Sequence, residues 1–532
     1  MTTPTPELRR ASGVNGLPIP LHPLTNLIAR SALSSDRRDQ LTVHAPFTGD
    51  VLGHVPACTE ADVEAAVERA KHAQPHWAHR AFPERQAILS RYHDLVLERQ
   101  DGIMDLIQLE SGKARRHALE EILDVAIHSR YYTFHSQRHM KPKARRGALP
   151  LLTSAWEYRH PVGVVGVIAP WNYPLSLAIS DSLPALMAGN GVILKPSHQT
   201  PFTALYAIQL LREAGLPPDI FQIVTGRGSV IGPALIERVN YVSFTGSTAT
   251  GREIARQAAG RLIRYSLELG GKNPAIVLDD ADLDQTVAGV ARGVFSNAGQ
   301  LCMAIERLYV QAGVYERFRE AFVRHVRALE MNAALDFSAD VGSLISQDQV
   351  DKVDAHVRDA VEKGARLLAG GHARPDLGPY FYEPTVLTGV TPEMAVYAEE
   401  TFGPVVALYR FDRVEEGIRR ANDTDYGLNA SVWTGDLHRG REVAWQIQAG
   451  TVNVNDAYAS AWASIDAPMG GMKDSGVGRR HGAEGILRYT EAQTIAARRL
   501  LSSSIDGDLA PETFGAVMTW ILRAMKHIPG LR

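Results

Sequence analysis

The feature that most constrains this chain is an alternation. From His160 onward, short β-rich runs at residues 162–169, 191–196, 241–246 and 274–278 are separated by stretches of helical length such as 201–214. After Asp280 the pattern repeats, with a long helix and then strands at 307–310, 405–411, 430–433 and 451–454. Strands joined by helices of this length pair in parallel with right-handed crossovers. The expectation is an α/β chain with two successive sheet-based units. A length of 532 residues, 45% of them hydrophobic, is enough to cover both.

The flanking segments read differently. Residues 1–40 form an irregular arm with a polyproline II stretch over 17–24. Thr59 is a helix N-cap with Asp62 three residues on, and Val63, Ala66, Val67 and Ala70 then share one face. More helix is expected over 83–138, broken near Ser111-Gly112. Residues 141–158, basic and then apolar, read as an exposed ribbon or linker. In the tail, 513–532, Val517, Trp520, Ile521 and Met525 can share a helical face, with Arg523, Lys526 and Arg532 nearby. That helix packs on its own protein or on a partner subunit, or it lies on a membrane surface.

Composition excludes several classes. A net charge of −3 offers no basic surplus for nucleic acid. Two cysteines, Cys58 and Cys302, rule out a disulfide scaffold and suit a reducing cytoplasm. No run of about 18 uncharged apolar residues predicts a membrane span, and the first 20 residues lack the apolar core of a signal peptide. No metal-ligand pattern stands out.

Four places carry chemistry. Cys302, in FSNAGQLCMAIER, lies between a helix and a strand, and the Gly299-Gln300 turn before it lets backbone N–H groups approach a reacting oxygen. Glu268, in SLELGGKNP, sits where burial would raise its pKa towards that of a general base. Asn172, in APWNYP, offers a neutral donor for a developing oxyanion, stiffened by two prolines and Trp171. FTGSTATG, residues 244–251, is a strand followed by a helix N-terminus suited to a pyrophosphate, and Lys195 ends another strand.

Taken in order, PWNYP, LKPSHQTP, FTGSTATG, LELGGKNP, GQLC, EETFGP and PMGGMKDSGVGR make the chain resemble the NAD(P)-dependent aldehyde dehydrogenases over about residues 45–496. The resemblance implies that Cys302 attacks the aldehyde, that Asn172 and the Cys302 N–H support the oxyanion, and that Glu268 activates the water that hydrolyses the thioester. It also implies that Lys195 and Glu400 hold ribose hydroxyls, that Trp171 and Phe402 flank the cofactor, and that Gly246 and Ser247 face the pyrophosphate. The implied organisation is a Rossmann-like cofactor domain (41–140 and 160–269), an α/β catalytic domain (270–472) and a β-ribbon for oligomerisation (141–159 and 480–500). Residues 1–40 form the arm and 501–532 the helical tail. A cytoplasmic homodimer or homotetramer acting on a small aldehyde is implied.

The chain departs from the family pattern in three ways. Many NAD-preferring members carry a Glu three residues after the lysine; here that residue is His198, preceded by Ser197. Removing the anion removes repulsion of a 2′-phosphate, so either cofactor is accepted and NADP is expected over NAD. The finer resemblance is to bacterial succinate-semialdehyde dehydrogenases. Better-known enzymes of that activity carry arginines where this chain has Ser180 and Ser296. Either Arg292 or Arg138 reaches in to meet the substrate carboxylate, or the substrate is an aliphatic or aromatic aldehyde. Tyr173 and Met469, which line the family's substrate tunnel, with Tyr458 and Trp462 nearby, suit the latter. Finally, Leu301, Met303 and Ala304 flank the nucleophile, so no second thiol is beside it and no thiol switch is expected. An acylating, CoA-dependent enzyme lacks the base glutamate, and Glu268 argues for hydrolysis.

Overall fold

A computed structural model describes residue 19 and residues 21–28, 39–147, 153–498 and 510–528. Residues 1–18 and Arg532, read above as part of the arm and the tail, lie outside the described residues.

The N-terminal helices form from the local signals. Thr59 caps Glu60–His79 in a reciprocal box: Asp62 N donates to Thr59 Oγ1 at 3.4 Å, and Thr59 N donates to Asp62 Oδ2 at 2.8 Å. Val63, Ala66, Val67 and Ala70 are fully buried on one face. Helices Phe82–Glu98, Gln100–Ser111 and Arg115–Met140 follow. The expected break falls at Gly112, with a further one at Arg99. Polyproline II is not what the arm adopts where it is described. Leu21–Leu24 is a helical turn against the helix Pro201–Glu213. Leucines three apart share a face there, and burying both outweighs the preference of the one intervening proline.

Two sheets dominate. The first runs Gly476–Val477, Arg264–Glu268, Tyr241–Thr245, Val164–Ile168, Gly191–Lys195, Phe221–Ile223, all parallel except the short first strand. The second, seven-stranded, runs Arg366–Ala369, Thr385–Thr388, Val405–Phe411, Ile305–Gln311, Asn273–Val277, Asn429–Trp433, Thr451–Val454, with one antiparallel edge. The expected α/β class with parallel sheets is therefore what the chain forms. Fully buried strands such as Gly191–Lys195 explain the continuous apolar runs in the sequence. Arg264–Glu268, partly polar, is a strand outside the β-rich runs that the sequence marks.

A third sheet is antiparallel: Thr490–Arg498, Thr153–Pro161, Lys143–Arg145. The tail helix Pro511–Met525 has no buried residue, and Val517 and Trp520 are 40% and 71% exposed. The expected packing on its own chain is thus not found among the described residues. No helix among them is long and apolar enough to cross a membrane.

Candidate active site

The two parallel sheets bring their strand ends together, and three loops meet there. The first leaves the strand Val164–Ile168 and carries Asn172, which is 4% exposed. Its Nδ2 donates to Gln300 O at 3.1 Å, leaving the second amide hydrogen for a ligand. Its backbone O accepts from Lys113 Nζ at 2.7 Å and from Asn297 Nδ2 at 2.9 Å.

The second loop joins the helix Leu283–Phe295 to the strand Ile305–Gln311 and carries Cys302. Asn297, Ala298 and Gly299 all lie in the left-handed region, with φ of 52°, 53° and 71°. Two consecutive non-glycine residues there are costly and persist only where the surroundings enforce them. Gln300 enforces them: its Nε2 donates to Asn297 O at 3.0 Å and Ser343 O at 3.3 Å, while its Oε1 accepts from Ile345 N at 3.0 Å. A Cβ on Gly299 would stand 2.0 Å from Gly403 O, so only glycine fits. Cys302 O is held by Asn273 Nδ2 at 2.7 Å.

The third element is the end of the strand Arg264–Glu268. Glu268 is 7% exposed, and its Oε1 has no hydrogen-bond partner among the described residues. Burial pushes its carboxyl up to about 7, against the pull of Arg480. A buried carboxyl without a partner, titrating near neutrality, is suited to moving a proton. The half-buried Cys302 thiol is pushed up to about 12, first by burial and then by the carboxylates of Glu268 and Glu400. The protein alone therefore rests with Cys302 as a thiol.

A cleft of about 190 Å³ opens on these groups. Trp171, Asn172, Gly246, Ser247, Glu268, Cys302, Glu400 and Phe402 all line it, with Lys352 and Gln349. Its features fit a nicotinamide nucleotide. Ser247 caps the helix Thr248–Gly260, whose N-terminus faces the cleft. At Gly246 a Cβ would meet the Phe244 ring at 2.5 Å, so a side chain there would have to displace that ring. Lys195, 5% exposed, donates to Pro196 O and has no carboxylate partner among the described residues. Burial lowers its ammonium to about 8, an unpaired cation at a strand end. Lys195, Ser197 and His198 all stand outside the cleft lining. Phe402, at φ 57°, stands edge-on to Trp171 with ring centroids 5.5 Å apart. Glu400 Oε1 accepts from Gly271 N at 2.8 Å, and burial raises its carboxyl to about 7.

Several positioning groups escaped sequence reasoning. Glu306 accepts from Thr401 N and Phe402 N at 3.0 Å and pairs with buried Lys272, fixing the loop of the strained Phe402. Lys113 and Glu121 do the same for the Asn172 loop. Lys272 and Glu306 stood inside the quoted motifs LELGGKNP and CMAIER; Lys113 and Glu121 gave no signal, because their partner is backbone distant in sequence.

Away from the nucleotide cleft, Tyr173, Met469, Tyr458 and Trp462 pack in the same apolar cluster as Cys302. Of the two arginines considered from sequence, Arg138 is displaced from the site: it is exposed and sits 3.5 Å from Asp466. Its helix carries it away because Arg138 lies in the last turn of Arg115–Met140. Arg292 instead lines a second cavity beside Ser296.

Residues 33–495 match the aldehyde dehydrogenase family model. A protein of Mycolicibacterium smegmatis, provisionally named succinate-semialdehyde dehydrogenase (NADP+), is 51% identical over 507 residues, covering 95% of this chain and 98% of that protein. A similarly named protein of Mycobacterium tuberculosis is 49% identical over 96% of this chain and 98% of its own. The crystal structure of an NADP-dependent enzyme of E. coli superposes with a TM-score of 0.85 at 37% identity, covering 89% of this chain and 99% of that one. An NAD+ complex of a Bacillus cereus aldehyde dehydrogenase gives 0.82 at 36% identity, covering 87% and 94%. The parallel sheets, the thiol between them and a match spanning both place this chain in the aldehyde dehydrogenase family.

Proposed function

We propose that this enzyme oxidises succinic semialdehyde, or a closely similar small aldehyde bearing a carboxylate, to the acid, in the cytoplasm and with NADP preferred. The observation that carries the reading of the chemistry is the convergence of the Cys302 thiol, the unpartnered Glu268 carboxyl and the spare Asn172 amide hydrogen on one cleft.

In this reading the Cys302 thiol gives its proton to water in the cleft as Sγ adds to the aldehyde carbon, and the carbonyl electron pair moves onto oxygen. Asn172 Nδ2 and the Cys302 N–H donate to that oxygen. When bound, the nicotinamide nucleotide supplies the acceptor for the hydride that leaves the same carbon, giving a thioester on Cys302. Glu268 takes a proton from a water that attacks the thioester carbon, and the bond to Sγ breaks to release the acid. Tyr173, Tyr458 and Trp462 keep the approach to Sγ apolar.

The preference for NADP rests on charge. Burial first, and then the nearby cations Lys195 and Arg227, hold the His198 imidazolium below its usual range. No carboxylate accompanies them at the position after Lys195, so a 2′-phosphate meets donors and no repulsion. The names of the mycobacterial relatives support both substrate and cofactor. The exposed ribbon strand Thr490–Arg498, with Ile495 half exposed and Trp156 opposite it, is the surface proposed for homo-oligomer formation.

Absorbance at 340 nm with succinic semialdehyde, hexanal and benzaldehyde, each with NADP and NAD, tests the reading. A higher kcat/KM for the semialdehyde with NADP is expected, with Cys302→Ala inactive. Faster turnover of hexanal or benzaldehyde would overturn the substrate assignment. A higher kcat/KM with NAD would overturn the cofactor preference.

A further inference from the structure

A second cavity, of about 420 Å³, shares no lining residue with the nucleotide cleft. That volume falls within the range of small-molecule sites, about 300–1,000 Å³. The helix Arg115–Met140 forms one wall with Arg116, His117 and Glu120; the end of Leu283–Phe295 forms another with Arg292, followed by Ser296. Ser296 lies six residues before Cys302. Its hydroxyl is 2.8 Å from the Tyr458 hydroxyl, and Tyr458, Tyr173, Trp462 and Cys302 share one apolar cluster. An aromatic wall leads from Arg292 towards the nucleophile: Arg292 lies over Tyr458, Tyr458 is 6.1 Å from Trp462, and Trp462 is 5.5 Å from Tyr173, which follows Asn172 of the Cys302 cleft.

We infer that Arg292 is the cation that receives the substrate's carboxylate in this cavity, the aldehyde end reaching Cys302 along the aromatic wall. The inference rests on the substrate reading proposed above. The cations around the cavity differ in the donors they have to spare. Arg116 is engaged by Asp340 at 2.7 Å. His117 is buried, accepts at Nδ1 from Asn297 N–H, and is held neutral by burial, with its pKa lowered to about 3. His325 also faces the cavity. Arg292 stands 3.6 Å from Glu120, beyond hydrogen-bond distance, and its side chain is half exposed.

Glu120 is satisfied by others: the Tyr458 hydroxyl donates to its two oxygens at 2.9 and 3.1 Å, and the Tyr173 hydroxyl approaches at 3.5 Å. The Ser296 hydroxyl donates to the backbone carbonyl of Arg292 at 2.7 Å, and the guanidinium lies 5.3 Å over the Tyr458 ring. It therefore presents a planar fork of donors to the cavity, the geometry that binds a carboxylate through two hydrogen bonds. Burial raises the Glu120 carboxyl against the pull of Arg292. Ser180, the other serine found where a cation was sought, is taken up by Asp124 at 2.6 Å.

The test compares succinic semialdehyde with butanal, a neutral aldehyde of equal carbon number, in the wild type, Arg292→Ala and Arg292→Lys. The readout is the ratio of kcat/KM for the two aldehydes, so a general loss of folded enzyme cancels. The ratio is expected to fall at least tenfold in Arg292→Ala through KM for the semialdehyde, with Arg292→Lys retaining part of it. Inhibition of butanal oxidation by succinate is expected to be competitive in the wild type and lost in Arg292→Ala. An unchanged ratio and unchanged succinate inhibition in Arg292→Ala would overturn the inference and leave the substrate reading standing. A wild type with no preference for the semialdehyde would overturn the substrate reading first, and the inference with it.

Discussion

Replacing Lys113 by Met should separate the scaffold of the site from its chemistry. Lys113 and Glu121 are both fully buried and 2.5 Å apart. Lys113 also donates to Asn172 O and lies 3.8 Å over the Tyr173 ring, while Glu121 accepts from Leu175 N at 2.8 Å and Ser176 N at 3.0 Å. The pair thus grips both sides of the Asn172 turn. In Lys113→Met, Asn172 O keeps its bond from Asn297, so the main loss is the uncompensated charge on Glu121. Breaking one side of a buried pair costs about 3–5 kcal/mol. Burial already raises the Glu121 carboxyl, and loss of Lys113 raises it further. A carboxyl whose folded pKa exceeds its unfolded one disfavours folding increasingly as pH rises through that interval, so the penalty is larger at pH 8 than at pH 5. The assay is guanidinium unfolding followed by tryptophan fluorescence for both single variants and Lys113→Met/Glu121→Gln. The double variant should cost less than the sum of the singles by at least ~1 kcal/mol. In folded protein kcat should fall, with the ~10²–10³-fold loss typical of removing an oxyanion donor as its ceiling. Additive costs together with an unchanged kcat would refute the claim that this pair holds Asn172.

Three further outcomes follow from the site. The acid-limb rate should rise with pH through about 7, because Glu268 acts only when deprotonated and burial raises it there; a Glu268→Gln variant with the same rise would assign it elsewhere. With the Cys302 thiol pushed up to about 12, iodoacetamide alkylation of the protein alone should speed up about tenfold per pH unit between 7 and 10, and a plateau by pH 8 would contradict it. Buried Cys58 should remain unlabelled throughout. Gly299→Ala should cost about 1–3 kcal/mol from its φ of 71° alone, and more from the collision with Gly403 O; a normal denaturation midpoint would show that the loop is not held as described.

The sequence spoke clearly where one local rule governs. The β-rich runs appear because parallel strands covered on both faces must be apolar throughout, and the Thr59 cap because its partner is three residues away. It was silent where partners are distant. Arg264–Glu268 reads as no strand because its outer residues are polar, yet it carries the buried carboxyl. The tail helix Pro511–Met525 is legible from its spacing, but what covers its apolar residues is not written in local pattern. Arg292 and Arg138 are equivalent as letters. Only the course of two helices separates one at a cavity wall from one in solvent.

The same distinction explains why this protein buries charge around its site. Lys113–Glu121, Lys272–Glu306 and Asp181 with Arg480 and Arg488 are all buried pairs. Such pairs rarely stabilise a fold relative to apolar residues of similar volume, because desolvating both ions offsets their attraction. Here two of them bond backbone in a loop that carries a site residue: Asn172 O, Leu175 N and Ser176 N for the first, and Thr401 N and Phe402 N for the second. The third holds Arg480, whose backbone exchanges hydrogen bonds with Met469 beside Gly470, where an added Cβ would stand 3.2 Å from Glu268 Oε1. Apolar side chains cannot supply these bonds, and an unmet backbone group in a buried loop costs about 1–3 kcal/mol. The ions are therefore suited less to stability than to fixing irregular loops at a precision that apolar packing alone does not give, which is what donors aimed at one developing charge require.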